Sequence, residues 1–90
     1  MSKTSNVVMY SSMMCPFCHR AKALLKDKGV EFEEISVDMK PDVRAEMREK
    51  SGGVNSVPQI FIGDVHVGGC DELYALENQG KLNALLEQAA

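Results

Sequence analysis

The amino-acid sequence predicts an α/β domain, with a mixed four-stranded sheet flanked by helices in the order β-α-β-α-β-β-α. Three observations carry that expectation. A short apolar run, NVVMY at 6–10, gives way after Cys15 to apolar residues at helical spacing. An alternating stretch, VEFEEISVD at 30–38, then precedes a second helical segment. Last, the β-rich runs VPQIFI and VHV are joined by Gly63-Asp64, as the arms of a tight hairpin are joined.

The elements follow in order. NVVMY is short, apolar and β-branched, and reads as a buried strand. From Pro16 to Lys28, Ala21, Leu24 and Leu25 recur at helical spacing among Arg20, Lys22, Lys26 and Lys28. Gly29 supplies the stop, and basic residues late in the helix suit its dipole. In the strand at 30–38, Val30, Phe32, Ile35 and Val37 alternate with one irregularity at Glu33–Glu34. Pro41 fits the first turn of a helix running to about Lys50, with Val43 and Met47 inward, and SGG at 51–53 ends it. After the hairpin, Gly68-Gly69 opens onto one helix broken in two at Gly80, with Leu73 and Leu76, then Leu82, Leu85 and Leu86, on its apolar faces.

Ninety residues form one compact domain, 1–90, and nothing in them demands more than a monomer. Three cysteines cannot make the even-numbered framework of a disulfide-dense secreted scaffold. The start, MSKTSNVVMYSS, lacks a charged segment followed by a long apolar one, which points to a reducing, cytoplasmic setting. No apolar run approaches the roughly 18 residues that span a bilayer, so no membrane is expected. A net charge of -3 leaves no broad basic footprint for nucleic acid.

Function concentrates in MMCPFCHRAK at 13–22. Cys15 falls at the entrance of the first helix with Pro16 at its first position, where the missing N–H costs nothing. The unpaired N–H groups and dipole of that first turn favour the thiolate of Cys15 over its thiol. Cys18 returns to the same side of the turn, within disulfide reach and deeper in the helix, so Cys15 attacks and Cys18 resolves. Phe17 stands at the tip and offers an apolar contact to whatever docks. A structural zinc site competes poorly, because only Cys70, His19 and His66 remain as ligands; no metal is expected. An inert structural bridge does not suit the setting. CxxC beside a β-α-β pattern reads as redox chemistry. Pro58, lacking a ladder donor, belongs at the start of its strand.

The chain resembles the glutaredoxins, the glutathione-dependent branch of the thioredoxin fold. The likeness covers nearly its whole length: a strand ending in Tyr10, CPFC at 15–18 followed by HRAKALL, SVPQIFI at 56–62 and GGCDEL at 68–73. It looks most like the small bacterial dithiol type; thioredoxin, with Gly-Pro between its cysteines, matches less well. The resemblance implies a cis bond before Pro58, with glutathione laid along the Val57 backbone like an added strand and its sulfur against Cys15. Gly69, Cys70 and Asp71 would meet its γ-glutamyl end, the glycines permitting close approach and a helix start at Asp71 supplying N–H groups. At Ser12, three residues before Cys15, glutaredoxins commonly carry Lys or Arg. Ser12 can donate a hydrogen bond but no charge, so Arg44 is expected to carry more of the binding of the glycyl carboxylate.

The implied activity is glutathione-dependent reduction of protein disulfides and of protein–glutathione mixed disulfides, with glutathione as cosubstrate. A different reading is a [2Fe–2S] carrier in which two chains share a cluster through Cys15 and two glutathione thiols; Pro16 at the helix start counts against it. Among the other residues, Cys70 reads as a backbone contact without a thiol role, and His19 as surface. Met13 and Met14 read as either a pliable rim beside Cys15 or loop packing, and Asp71 and Glu72 as caps, Asp71 also being where the family binds ligand.

Overall fold

The computed structural model describes residues 6–89; residues 1–5 and 90, the ends of the expected domain, lie outside the described residues. The elements are β1 (Val7–Ser11), α1 (Pro16–Asp27), β2 (Glu33–Ser36), α2 (Pro41–Lys50), β3 (Gln59–Ile62), β4 (Val65–Gly68), α3 (Cys70–Asn78) and α4 (Leu82–Ala89). They build a mixed sheet of order β2-β1-β3-β4, with β1 parallel to β2 and antiparallel to β3, and β3 antiparallel to β4. No helix among the described residues is long and apolar enough to cross a membrane.

Period-two alternation in β1 sends its side chains to two separate cores. Val7 and Met9 join Ala21, Leu25, Ile60, Ile62, Leu73 and Leu82 under α1, α3 and α4. Val8 and Tyr10 turn to the other face, where Tyr10 packs with Val37 and Met47 beneath α2. The fully buried Tyr10 keeps its hydroxyl satisfied by donating to Glu46 Oε2 at 2.6 Å, and Lys50 lies 3.5 Å from the same carboxylate oxygen. Burial, with the Glu46 contact second, pushes the Tyr10 phenol above its usual range.

Strand β2 and the terminal helix depart most from the sequence reading. β2 covers residues 33–36 where a strand was expected over 30–38. Its ladder with β1 begins at Val8↔Glu33, and the Val30 N–H is already spent on Leu25 O at 3.1 Å, closing the end of α1. Val30 and Phe32 still pack on the core, so their alternation reports burial without pairing. The terminal helix is two helices, which adds an element to the expected order. The Gly80 N–H reaches Glu77 O at 3.0 Å and the Lys81 N–H reaches Leu76 O at 2.9 Å, with Gly80 at φ +72°. Those paired bonds terminate a helix through a left-handed residue, a conformation glycine adopts without strain.

Candidate active site

The end of β1 and the start of α1 present the two thiols. Cys15 is the N-cap of α1, in extended conformation at φ −107° and ψ 107°, with Pro16 as the first helical residue. Its Sγ accepts the Cys18 N–H at 3.1 Å, one of the donors a helix start leaves unpaired. On the opposite side the Cys15 thiol donates toward Val57 O at 3.7 Å. Cys18 differs from it in environment. Cys15 is half-buried, whereas the Cys18 side chain is fully buried under the helix. Burial first, and the hydrogen bond with Cys15 second, push the Cys18 thiol up to about 12. Both thiols are free. The pair therefore has one accessible sulfur and one sequestered, protonated partner.

Two contacts distant in sequence clamp the loop before Cys15. Asp38, just past β2, accepts from Ser12 Oγ at 2.7 Å and from the Met13 N–H at 2.9 Å. The Met13 N–H and then the Ser12 hydroxyl hold the Asp38 carboxyl below the usual carboxylate range. From the helix side, His19 Nε2 lies 3.0 Å from Met13 O. His19 is exposed as expected, but its ring ties down the loop. Sequence reasoning missed Asp38 altogether. It also left the Ser12 hydroxyl free for a ligand, and that hydroxyl is occupied. Met13, Met14 and Phe17 are exposed by 76%, 87% and 52%, so the methionines are not loop packing and leave an apolar rim beside Cys15.

Facing Cys15, the Val57–Pro58 peptide bond is cis. The segment ahead of it is braced from within. Ser51 Oγ donates to Val54 O at 3.0 Å, and the buried Gln59 amide donates to Ser56 O at 3.0 Å while its Oε1 lies 2.6 Å from His66 Nε2. Gln59 carried no functional reading in the sequence, and His66 was weighed only as a zinc ligand; an amide among the buried residues of a strand was the available signal.

Phe17, Val57, Pro58, Gly69, Cys70 and Asp71 line one open cleft of about 190 Å³, together with Ser56 and Glu72. The cleft keeps its width because α3 is docked on α1. The Tyr74 hydroxyl donates to Arg20 O at 3.2 Å, the Arg20 guanidinium lies 5.6 Å from the Tyr74 ring centre, and Lys28 pairs with Glu77 at 2.6 Å. Helix α3 starts one residue earlier than expected, at Cys70, with Gly69 as its N-cap. Cys70 is 5% exposed and packs in the core, and it also lines the cleft. Burial pushes the Cys70 thiol up. Arg44 stands apart from this cleft. Its Nη1 donates to Asn55 O at 2.8 Å, and to Asn55 Oδ1 at 3.3 Å, two residues before Val57.

Comparison with known proteins places this geometry. The glutaredoxin family model matches residues 7–67. A glutaredoxin of Pseudomonas aeruginosa is 59% identical over 80 residues, 89% of this chain and 94% of the relative. The solution structure of glutaredoxin from Brucella melitensis matches with a TM-score of 0.80 at 58% identity, covering 94% of this chain and 91% of that one. The crystal structure of a buckwheat glutaredoxin–glutathione complex matches with a TM-score of 0.85 at 31% identity, covering 94% and 79%.

Proposed function

This chain belongs to the glutaredoxin family, and from that premise we propose that it is a glutathione-dependent thiol–disulfide oxidoreductase of the dithiol type. The asymmetry of the cysteine pair carries the reading: Cys15 is accessible and capped by a helix N–H, and Cys18 is buried and protonated. In the monothiol route, the Cys15 thiolate attacks the glutathione sulfur of a protein–glutathione mixed disulfide. The new bond is Cys15–S–S–glutathione, and the protein leaves as a thiolate that takes up a proton. A second glutathione thiolate then attacks that glutathionyl sulfur, forming glutathione disulfide and restoring Cys15. In the dithiol route, Cys15 attacks a protein disulfide and Cys18 displaces the substrate sulfur, giving the Cys15–Cys18 bridge that two glutathiones reopen.

The proposed seat for glutathione is the cleft beside Cys15, with the peptide extended along Val57. The buckwheat relative solved with glutathione supports the ligand class. The N–H groups of Cys70 and Asp71 at the start of α3 suit the γ-glutamyl carboxylate. Arg44, fixed on Asn55 at the other end of the segment that leads into Val57, suits the glycyl carboxylate. Phe17, exposed at the cleft edge, contacts the docked partner. Substrate proteins are those carrying disulfides or glutathionylated cysteines.

Turnover of a glutathionylated peptide with glutathione tests the reading. Cys15→Ser abolishes reduction of both substrate classes. Cys18→Ser keeps deglutathionylation and loses reduction of protein disulfides. Complete loss of deglutathionylation in Cys18→Ser would overturn this division of labour.

A further inference from the structure

The two glycines ahead of α3 are expected to leave room for a ligand, yet the space over them is filled by this chain. Gly68 sits at φ +112°, a conformation few side chains tolerate, and a Cβ there would come within 3.2 Å of both Cγ and Oε1 of Glu72. A Cβ on Gly69 would lie 3.3 Å from Glu72 Oε1 and 3.4 Å from Pro58 O. The Glu72 side chain thus folds back across both glycines, and its Oε1 accepts the Gly69 N–H at 2.8 Å. Glu72 also lines the cleft beside Cys70 and Asp71.

We infer that Glu72 is a positioning residue for glutathione: folded across Gly68–Gly69 onto the Gly69 N–H, its carboxylate holds the peptide groups at the start of α3 in the orientation that receives the ligand. The inference rests on the glutathione reading and deepens it. Glycine has the largest backbone freedom of any residue, and here two in succession lead into the helix start. Without a tether, that freedom would have to be frozen each time the ligand docks, which weakens binding. Glu72 freezes it in advance while leaving the N–H groups of Cys70 and Asp71 to the ligand, because the donor it takes is Gly69's. The requirement is for an acceptor of the right reach rather than for a charge. A carboxylate is indeed an awkward neighbour for an anionic ligand, and charge alone would make Glu72 a competitor.

Steady-state deglutathionylation of a glutathionylated peptide separates these possibilities, with wild type, Glu72→Ala and Glu72→Gln compared well below their melting temperatures. Glu72→Ala is expected to raise KM for the peptide roughly three- to tenfold with kcat within about twofold. Glu72→Gln, which keeps an oxygen on the Gly69 N–H, is expected to recover most of that loss. The rate of Cys15 alkylation by iodoacetamide, a probe without a glutathione moiety, stays within about twofold of wild type in both. An unchanged or lower KM in Glu72→Ala overturns the inference, as does a Glu72→Gln variant as impaired as the alanine. Failure of the wild-type chain to turn over the peptide would instead overturn the glutathione reading itself.

Discussion

The hydroxyl of Ser12 donates to Oδ1 of Asp38 at 2.7 Å, joining the loop that delivers Cys15 to the end of β2. The same carboxylate takes the Met13 N–H, so one side chain holds two successive residues of that loop. Where many glutaredoxins place a cation, this chain has a neutral donor already committed to an anion. Ser12 is therefore a loop anchor. Ser12→Ala and Asp38→Ala should each lower kcat/KM by roughly two- to fivefold through loop disorder, and the double variant should lose no more than the worse single one. Multiplying losses in the double-mutant cycle would show that the two residues act independently.

Arg44, on α2, stands outside the cleft, and its proposed hold on the glycyl carboxylate is testable by itself. Its guanidinium is pinned to the Asn55 carbonyl, which orients it beside the segment leading into Val57. Arg44→Ala should raise KM for a glutathionylated peptide by about three- to tenfold and leave kcat nearly unchanged, the pattern of lost binding common to ground and transition states. In the wild type, KM should climb as sodium chloride rises from 50 to 500 mM, because screening weakens a surface cation's hold on a carboxylate. That climb should flatten in Arg44→Ala. An equally steep salt dependence in the variant would assign the carboxylate to another group.

In the proposed dithiol route, Cys18 is expected to set the pH dependence. Its thiol is pushed up to about 12, chiefly by burial, so at pH 7 it is held almost wholly protonated. The thiolate is the attacking form, and a raised pKa therefore means a closure rate that grows with pH. Stopped-flow measurement of ring closure on a Cys15 mixed disulfide should show a rise of roughly tenfold per pH unit between pH 6 and 9. Forming the mixed disulfide removes the Cys15 thiol's contribution, but the larger one, burial, stays. A closure rate flat over that range would show that a base takes the Cys18 proton.

The order of elements was legible because periodicity changes from two to the helical value at Pro16 and again at Pro41, and because Gly63-Asp64 joins two β-rich runs. Cys15 and Cys18 were legible for a related reason: their spacing acts within one helical turn. Contacts between residues far apart in sequence were not. Nothing local marks Asp38 as the clamp of Ser12, 26 positions away, since an aspartate after a strand more often serves only as a turn residue. The length of β2 depends on where β1 begins, and the strand's own composition does not contain that register. Glu72 was read correctly as a cap; that its side chain lies over Gly68 depends on a positive φ the sequence does not display.

Cys70 tests how far backbone and side chain can have separate roles at one position. The residue lines the cleft and is also packed in the core with Leu73 and Ile60, where burial pushes its thiol up. Such a thiol behaves as a small hydrophobe. Cys70→Ala should preserve deglutathionylation within about twofold and cost on the order of 1 kcal/mol, the value of a small cavity. Cys70→Ser should cost more, by about 1–3 kcal/mol in all, if its hydroxyl is buried without a partner. Thermal unfolding of the two variants gives that order directly. In native, reduced protein at pH 7, a disulfide reagent such as Ellman's should leave Cys70 unmodified until denaturant is added. Rapid labelling of Cys70 under native conditions would mean that the start of α3 opens, and would give its sulfur a place in the chemistry.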